Sequence, residues 1–319
     1  MLAAVQSPVV SSLLPVVLLI ACGYLAGRRR WVGAGSIKDL SNLIFMLLAP
    51  ALLFRAMSSV HVEQLSFRPV AAYFIAAFVI VAGTIAWRGF NRTAVVLALA
   101  NTFSNTVMIG VALIGLAYGP EGMVVLLTLI SLHSVVLLTT ATVLLELAVA
   151  REHTANGGKA HRSMAHTVAL AVRNAILHPV PLPIIAGLLF AQTGLAIPEF
   201  IDRPLLLLGQ AFSPVALVMV GITLALTPVG LHLRGAMTQA LVKNLVHPAL
   251  TLLFGWMLGV TGLPLTVMVI AAALPIGANV FLFSQRYKTA EDLVTASVVV
   301  STLLALVTLT AVVGLANRL

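Results

Sequence analysis

The hydropathy pattern of this chain consists of long apolar stretches separated by short polar connections. Ten stretches are long enough to cross a membrane as helices, because a hydrocarbon core of about 30 Å takes about 20 helical residues. The predicted spans are 8–27, 39–58, 68–88, 93–117, 122–149, 168–192, 203–227, 235–260, 264–285 and 292–316. The longest connection, REHTANGGKAHRSMAH, predicts a cytoplasmic linker at 151–167 between five-span halves at 1–150 and 168–319. The pattern predicts an all-α polytopic membrane protein with ten transmembrane helices.

The two halves are predicted to be inverted five-helix repeats. An odd number of spans in each half makes the second half begin on the opposite side of the membrane. Helix-breaking and polar residues also recur in the same order in the two halves. The matching pairs are Pro15 and Pro183, Gly23 and Gly187, Pro50 and Pro214, Pro69 and Pro248, and Asn105 and Asn279.

The distribution of basic residues predicts the orientation. With ten spans, fourteen of the eighteen Lys and Arg residues fall on one side of the membrane. Basic residues near span ends stay in the cytoplasm, so both termini are expected outside the cell. The four basic residues left for the outer side are Arg55, Arg68, Arg203 and Arg318.

Composition excludes several other classes of protein. With 61% hydrophobic and 8% charged residues, the chain has too little polar surface for a soluble globule. The net charge of +9 is explained by topology, so no nucleic-acid partner is expected. The single cysteine, Cys22, excludes an internal disulfide and a multi-cysteine metal site. Enzyme motifs such as HExxH and the phosphate-binding glycine loop are absent, and neither catalysis nor a cofactor is expected.

Candidate binding residues lie in the fourth and ninth spans, both of which are predicted to be broken helices. They are Asn101, Asn105, Thr106 and Gly110 in the fourth span and Pro275, Gly277 and Asn279 in the ninth. Broken helices at corresponding positions of two repeats indicate a transporter's substrate site, where half-helix N-termini bind an anion at the midplane. The alternative is that these polar groups only join helices by hydrogen bonds.

Three segments resemble signatures of the auxin efflux carrier family. The run NTFSNTVMIGVALIGLAYG at 101–119 is similar to the fourth-span motif of plant PIN-formed exporters, NTLPNTLVMGIPLL followed by Tyr-Gly. ALPIGANVFLFSQRY at 273–287 is similar to the family's ninth-span pattern, and APALLFRA at 49–56 resembles the second-span signature of bacterial members. The resemblance implies a scaffold domain and a mobile domain whose crossing fourth and ninth helices hold the substrate.

The chain also departs from the plant pattern. Ser104 and Ala112 stand where the plant motif has prolines, so the fourth-span break is expected to depend on the polar cluster and Gly110. His178, followed by Pro179, occupies a position similar to the plant Asn-Pro. The long cytoplasmic loop of many plant exporters is missing, and auxin is therefore not implied as the substrate.

Few titratable groups are available for coupling. No Asp or Glu lies near the middle of a span, which disfavours a carrier built on buried carboxylates. His133 and His247 are candidate proton carriers, with hydrogen-bonded packing groups as the alternative. Lys243 is expected to extend to the cytoplasmic surface; alternatively it attracts anions or pairs with Glu146.

The sequence therefore predicts a secondary transporter of small organic anions, mono- or dicarboxylates, working by alternating access. The family resemblance implies malonate or malate as candidate substrates and a bacterial inner membrane as the location. Besides the substrate anion, the expected partners are the lipid bilayer and a second copy in a homodimer. His178 is a further candidate for anion attraction. The alternatives are an exporter of a hydrophobic weak acid, such as an auxin-like compound, and a non-transporting membrane sensor.

Overall fold

The computed structural model describes residues 8–33, 35–60, 63, 65–155, 169, 173, 179–227, 232–277 and 279–316. In chain order its helices are α1 (Pro8–Arg28), α2 (Ser36–Leu43), α3 (Ala49–Met57), α4 (Phe67–Arg88), α5 (Arg92–Ala100), α6 (Val111–Ala155), α7 (Pro181–Ala191), α8 (Glu199–Leu226), α9 (Leu233–Leu241), α10 (His247–Met257), α11 (Gly262–Ala273), α12 (Asn279–Arg286) and α13 (Glu291–Ala316). Three π-helical turns interrupt or precede these helices: π1 (Ile44–Leu48), π2 (Thr106–Gly110) and π3 (Val242–Val246).

Several of these helical segments have the length and composition of membrane spans. Five continuous segments qualify fully: Ser36–Met57, Phe67–Arg88, Thr106–Glu152, Glu199–Leu226 and Glu291–Leu315. Shorter apolar helices cover Leu14–Arg28, Pro181–Ala191 and Gly262–Ala273. The prediction of an all-α polytopic membrane protein is thereby confirmed. Of the predicted linker, residues 156–167 lie outside the described residues, as does most of the predicted sixth span before α7.

The long helix α6 contains the junction between the predicted fourth and fifth spans. Gly119 has φ 58° and ψ −151°, a backbone conformation that residues with a Cβ rarely adopt. Pro120 follows and removes one helical N–H donor. The chain therefore kinks at this point, within the connection between predicted spans 93–117 and 122–149.

Glycines allow two very close helix contacts between the halves of the chain. α1 packs along α8, where a Cβ on Gly23 would clash with the backbone of Val218 and a Cβ on Gly221 with that of Ile20. α7 packs on α3, where a Cβ on Gly187 would clash with the Phe54 carbonyl. In each pair a helix from one half lies against a helix from the other.

The turns π2 and π3 lie in a second group of packed helices. There, α4 contacts α5 and α10, α11 contacts α10 and α13, and α9 contacts α13. The interior of this group contains fully buried polar side chains as well as apolar ones, among them Lys243, Asn244 and His247. Polar groups at such depth need hydrogen-bond partners, and Lys243 and Asn244 donate to the backbone carbonyls of Leu274 and Ser301.

Candidate functional site

The fourth span is broken over residues 101–105. Helix α5 ends at Ala100, and Asn105 has a non-helical backbone with φ −76° and ψ 59°. The Asn105 side chain then caps the following turn, because its Oδ1 accepts a hydrogen bond from the Met108 N–H at 3.3 Å. The break forms without a proline, from polar residues whose side chains bond to nearby backbone.

The ninth span is broken at residues 274–277. Helix α11 ends at Ala273, and Leu274 has an extended backbone with φ −59° and ψ 150°. Pro275 follows, and it disfavours helical geometry at the residue before it. The chain resumes as α12 at Asn279, two residues after Gly277.

The two breaks pair with each other through backbone hydrogen bonds. The Asn105 N–H donates to the Pro275 carbonyl at 2.9 Å, and the Gly277 N–H donates to the Phe103 carbonyl at 2.9 Å. Ser104 and Ile276 are thereby opposed as an isolated antiparallel bridge. The structure thus brings the two segments singled out by the sequence into direct contact, as a crossing point of two broken helices.

Two glycines make this close approach possible. A Cβ on Gly277 would lie 2.7 Å from Phe103 Cδ1 and 3.2 Å from the Ser104 carbonyl oxygen. A Cβ on Gly110 would lie 2.8 Å from Leu274 Cδ1. Distances below about 3.0 Å require neighbouring atoms to move. A Cβ at Gly277 would displace the Phe103 ring, whereas at Gly110 only the tip of the Leu274 side chain would have to shift.

The other predicted site residues differ in how accessible they are. Asn105 and Asn279 are half-buried, each at the start of a helical segment, whereas Thr106 and Pro275 are buried. Asn101 is also buried, and its Nδ2 donates to Thr84 Oγ1 on α4 at 3.3 Å. The two half-buried asparagines are therefore the predicted polar residues best placed to meet a ligand.

A hydrogen-bonded cluster of side chains from α4 and α6 contacts the fourth-span break. The Tyr73 hydroxyl on α4 lies 3.1 Å from the Thr102 carbonyl, 2.7 Å from Ser104 Oγ and 3.0 Å from His133 Nε2. The Ser104 N–H donates to the same His133 nitrogen at 3.4 Å. Because that nitrogen accepts from a backbone N–H, the bonding pattern assigns His133 as a neutral imidazole. Sequence reasoning did not single out Tyr73.

Lys243 supports the ninth-span break in a similar way. It lies in π3 with no exposed surface, and its ammonium donates to the carbonyls of Ala272 and, at 2.7 Å, Leu274. The expectation that Lys243 extends to the cytoplasmic surface is wrong. Pairing with Glu146 is not observed either, since the Glu146 carboxylate accepts the Tyr287 hydroxyl at 2.9 Å. Burial, together with that hydrogen bond, raises the pKa of Tyr287, in the connection after α12, to about 12.

The remaining candidates for coupling occupy different surroundings. His247 begins α10 and is fully buried, with its ring centroid 4.7 Å from that of Tyr73. His178 lies outside the described residues. Within the described part of the chain, no group of three His, Cys, Asp or Glu side chains is arranged to hold a metal ion.

An ion pair that the sequence did not predict lies apart from the crossing. Arg55 Nε and Nη2 donate to the Asp202 carboxylate at 2.7 and 3.0 Å. The pair lines a cavity of about 460 Å³ between the ends of α3, α7 and α8. The Arg55 guanidinium is therefore held in a bidentate pair with Asp202.

Comparison with known proteins gives matches over nearly the whole chain. The profile of a family described as membrane transport protein matches residues 8–313. A Rhizobium meliloti protein named "Putative malonate transporter" is 28% identical over 305 residues, covering 93% of this chain and 92% of the relative. The uncharacterized transporter YfdV of Escherichia coli is 26% identical over 305 residues, covering 92% of this chain and 93% of the relative. Auxin efflux carrier component 8 of Arabidopsis thaliana is 22% identical over 348 residues, covering 94% of this chain and 95% of the relative.

Proposed function

This chain belongs to the membrane transport protein family, and we propose that it is a secondary transporter of small organic anions that works by alternating access. The observation that carries the proposal is the backbone-paired crossing of two broken helices, formed by Asn105 with Pro275 and Gly277 with Phe103. Broken helices that meet inside a membrane protein are where transporters of this construction bind substrate. The proposed location is a bacterial inner membrane, with a homodimer as the proposed assembly.

The chemistry of the crossing favours an anionic ligand. The segments π2 and α12 both begin there, and the N-terminal end of a helical segment carries positive potential. The Asn105 Oδ1 is occupied in capping Met108, which leaves the Nδ2 donors of its carboxamide as the groups that bind the anion in this proposal. Malonate and related mono- or dicarboxylates suit such a set of donors, and one of the relatives carries malonate in its name.

Helix packing supports the proposed inverted repeat of ten spans. The contact of α1 with α8 joins the first span to the seventh, and the contact of α7 with α3 joins the sixth to the second. These are the exchanged partners that a two-fold relation between the halves would produce. We assign α1, α3, α7 and α8 to a scaffold, and the helices around the crossing to a mobile domain.

Transport by purified protein in liposomes tests the proposal. Labelled malonate, malate, a monocarboxylate and an indole carboxylic acid are offered to proteoliposomes, with imposed pH or sodium gradients. Saturable malonate or malate uptake that exceeds uptake by empty liposomes is the expected result. Preference for the indole acid would favour a hydrophobic weak-acid exporter, which the match to an auxin efflux carrier makes the second candidate. Binding without movement of any acid would contradict transport and favour a sensor.

The proposed orientation is tested by cysteine labelling. With Cys22 replaced by alanine, K159C is expected to react only after the cytoplasmic side is opened, whereas E199C reacts in intact cells. The reason is that basic connections are retained in the cytoplasm. Glu199 is exposed at the start of α8, and the proposed topology puts it on the opposite side. Labelling with a membrane-impermeant maleimide measures both. Reaction of the two cysteines from the same side would refute the topology.

A further inference from the structure

Lys243 is a buried side chain bound by the end of a broken helix. Its ammonium donates to the carbonyls of Ala272 and Leu274, at the C-terminal end of α11. The last carbonyls of a helix have no partner within it and carry the negative end of the helix dipole. The ammonium therefore satisfies the carbonyls that the ninth-span break leaves open.

The π3 turn places two buried polar side chains on this break. Beside Lys243, the Asn244 Nδ2 donates to the Ser301 carbonyl at 2.8 Å, and Ser301 Oγ accepts the Ile276 N–H at 3.1 Å. π-Helical turns occur often at functional sites, because the extra residue redirects side chains. Lys243 therefore contacts the ninth-span break directly, before Pro275, whereas Asn244 is linked to Ile276, after Pro275, only through Ser301 of α13.

Carbonyls at such a break are where transporters with broken helices coordinate a coupling cation such as sodium. In this chain those carbonyls, of Ala272 and Leu274, accept hydrogen bonds from the Lys243 side chain instead. Among the described residues, no carboxylate lies within 4.0 Å of the Lys243 ammonium, because the two ion pairs found there join Arg55 to Asp202 and Arg92 to Glu152. The positive charge is thus not cancelled by a neighbouring acid.

The other titratable groups around the ammonium do not supply a negative charge either. His247 begins α10 directly after π3, and His133 lies in the same buried cluster. Tyr73 lies between them, with its hydroxyl on His133 and its ring against His247. Because His133 accepts from a backbone N–H, it adds no negative charge to this buried cluster.

We propose that Lys243 is a tethered counter-cation: its ammonium fills the cation position at the ninth-span break, so that anion binding at the crossing needs no dissolved sodium. The ammonium neutralises the helix end that would otherwise repel a carboxylate, and leaves a net positive charge behind the two helix N-termini. Lys243 acts as a positioning residue that need not touch the substrate. The inference rests on the proposed anion site.

The test replaces the side chain and supplies its missing part in solution. Purified K243A is expected to bind malonate roughly tenfold more weakly than wild type in choline chloride, since a fixed charge near the site is lost. Propylammonium, which matches the deleted atoms, or sodium should restore most of that affinity. Wild type and R234M, which loses an exposed cation at the start of α9, should not respond to either cation.

The outcomes separate this inference from the proposed function. Sodium-dependent malonate binding by wild type, unchanged affinity in K243A, or an affinity loss that no cation reverses would each overturn the tethered cation. If K243A does not fold, K243Q, which keeps a donor and most of the volume, is expected to show the same loss in affinity without the charge. If wild type binds no carboxylate, the anion site fails, while thermal stabilisation of K243A by propylammonium without substrate still tests the cation position.

Discussion

Replacing Asn105 or Asn279 is expected to weaken malonate binding by roughly 5- to 150-fold, because a lost hydrogen-bond partner for a buried group costs about 1–3 kcal/mol. Both side chains are half-buried at the starts of helical segments on the two sides of the crossing. For Asn105 the sharper change is to aspartate. Asn105→Asp keeps the oxygen that caps Met108 but replaces the amide donor by a negative charge that repels the anion.

Affinity and thermal stability should be measured on the same purified variants. Asn105→Asp and Asn279→Ala should lose affinity while their unfolding temperatures stay close to that of wild type. Asn42→Ala removes an exposed carboxamide from α2 and provides the matched control, with neither quantity expected to change. Lower stability with unaltered affinity in both site variants would mean that the asparagines only join helices, and the proposed anion site would be wrong.

The sequence predicts both breaks, though for different reasons. Pro275 and Gly277 are helix breakers that can be read directly, whereas the fourth-span break was predicted from Asn, Ser and Thr residues without proline. What the sequence could not show is the pairing itself. The exchange of hydrogen bonds between Asn105 and Pro275, and between Gly277 and Phe103, joins residues far apart in the chain, and only the packed fold specifies it.

The surroundings of Lys243 were wrongly predicted because the local helix geometry is not regular. A lysine one or two turns inside a span normally extends toward the nearest membrane surface. The π3 turn holds an extra residue, which changes the direction of the side chains within it, and Lys243 faces the interior instead. Tyr73 was missed for a different reason. A single tyrosine in an apolar span gives no periodic signal that distinguishes a hydrogen-bonded side chain from one that only packs against its neighbours.

Gly277→Val is expected to lower the malonate transport rate by up to roughly 150-fold, because overpacking a tight contact costs about 1–3 kcal/mol and this one also separates the paired backbones. The first added carbon would already lie 2.7 Å from Phe103 Cδ1. Phe103 cannot simply move away, since it is buried with its ring centroid 4.5 Å from that of His133. Gly277→Ala, with one carbon, should give a smaller loss of the same kind.

A matched pair of variants shows whether the loss arises at the crossing. Gly83→Val adds the same side chain within α4, where no atom lies within 4 Å of the new Cβ, and it should transport at nearly the wild-type rate. Trimming the obstructing ring with Phe103→Leu should partly restore transport in the Gly277→Ala background, because the two groups compete for one space. Equal losses in the Gly83 and Gly277 variants, or full activity in Gly277→Val, would show that transport does not depend on the close approach of the two broken helices.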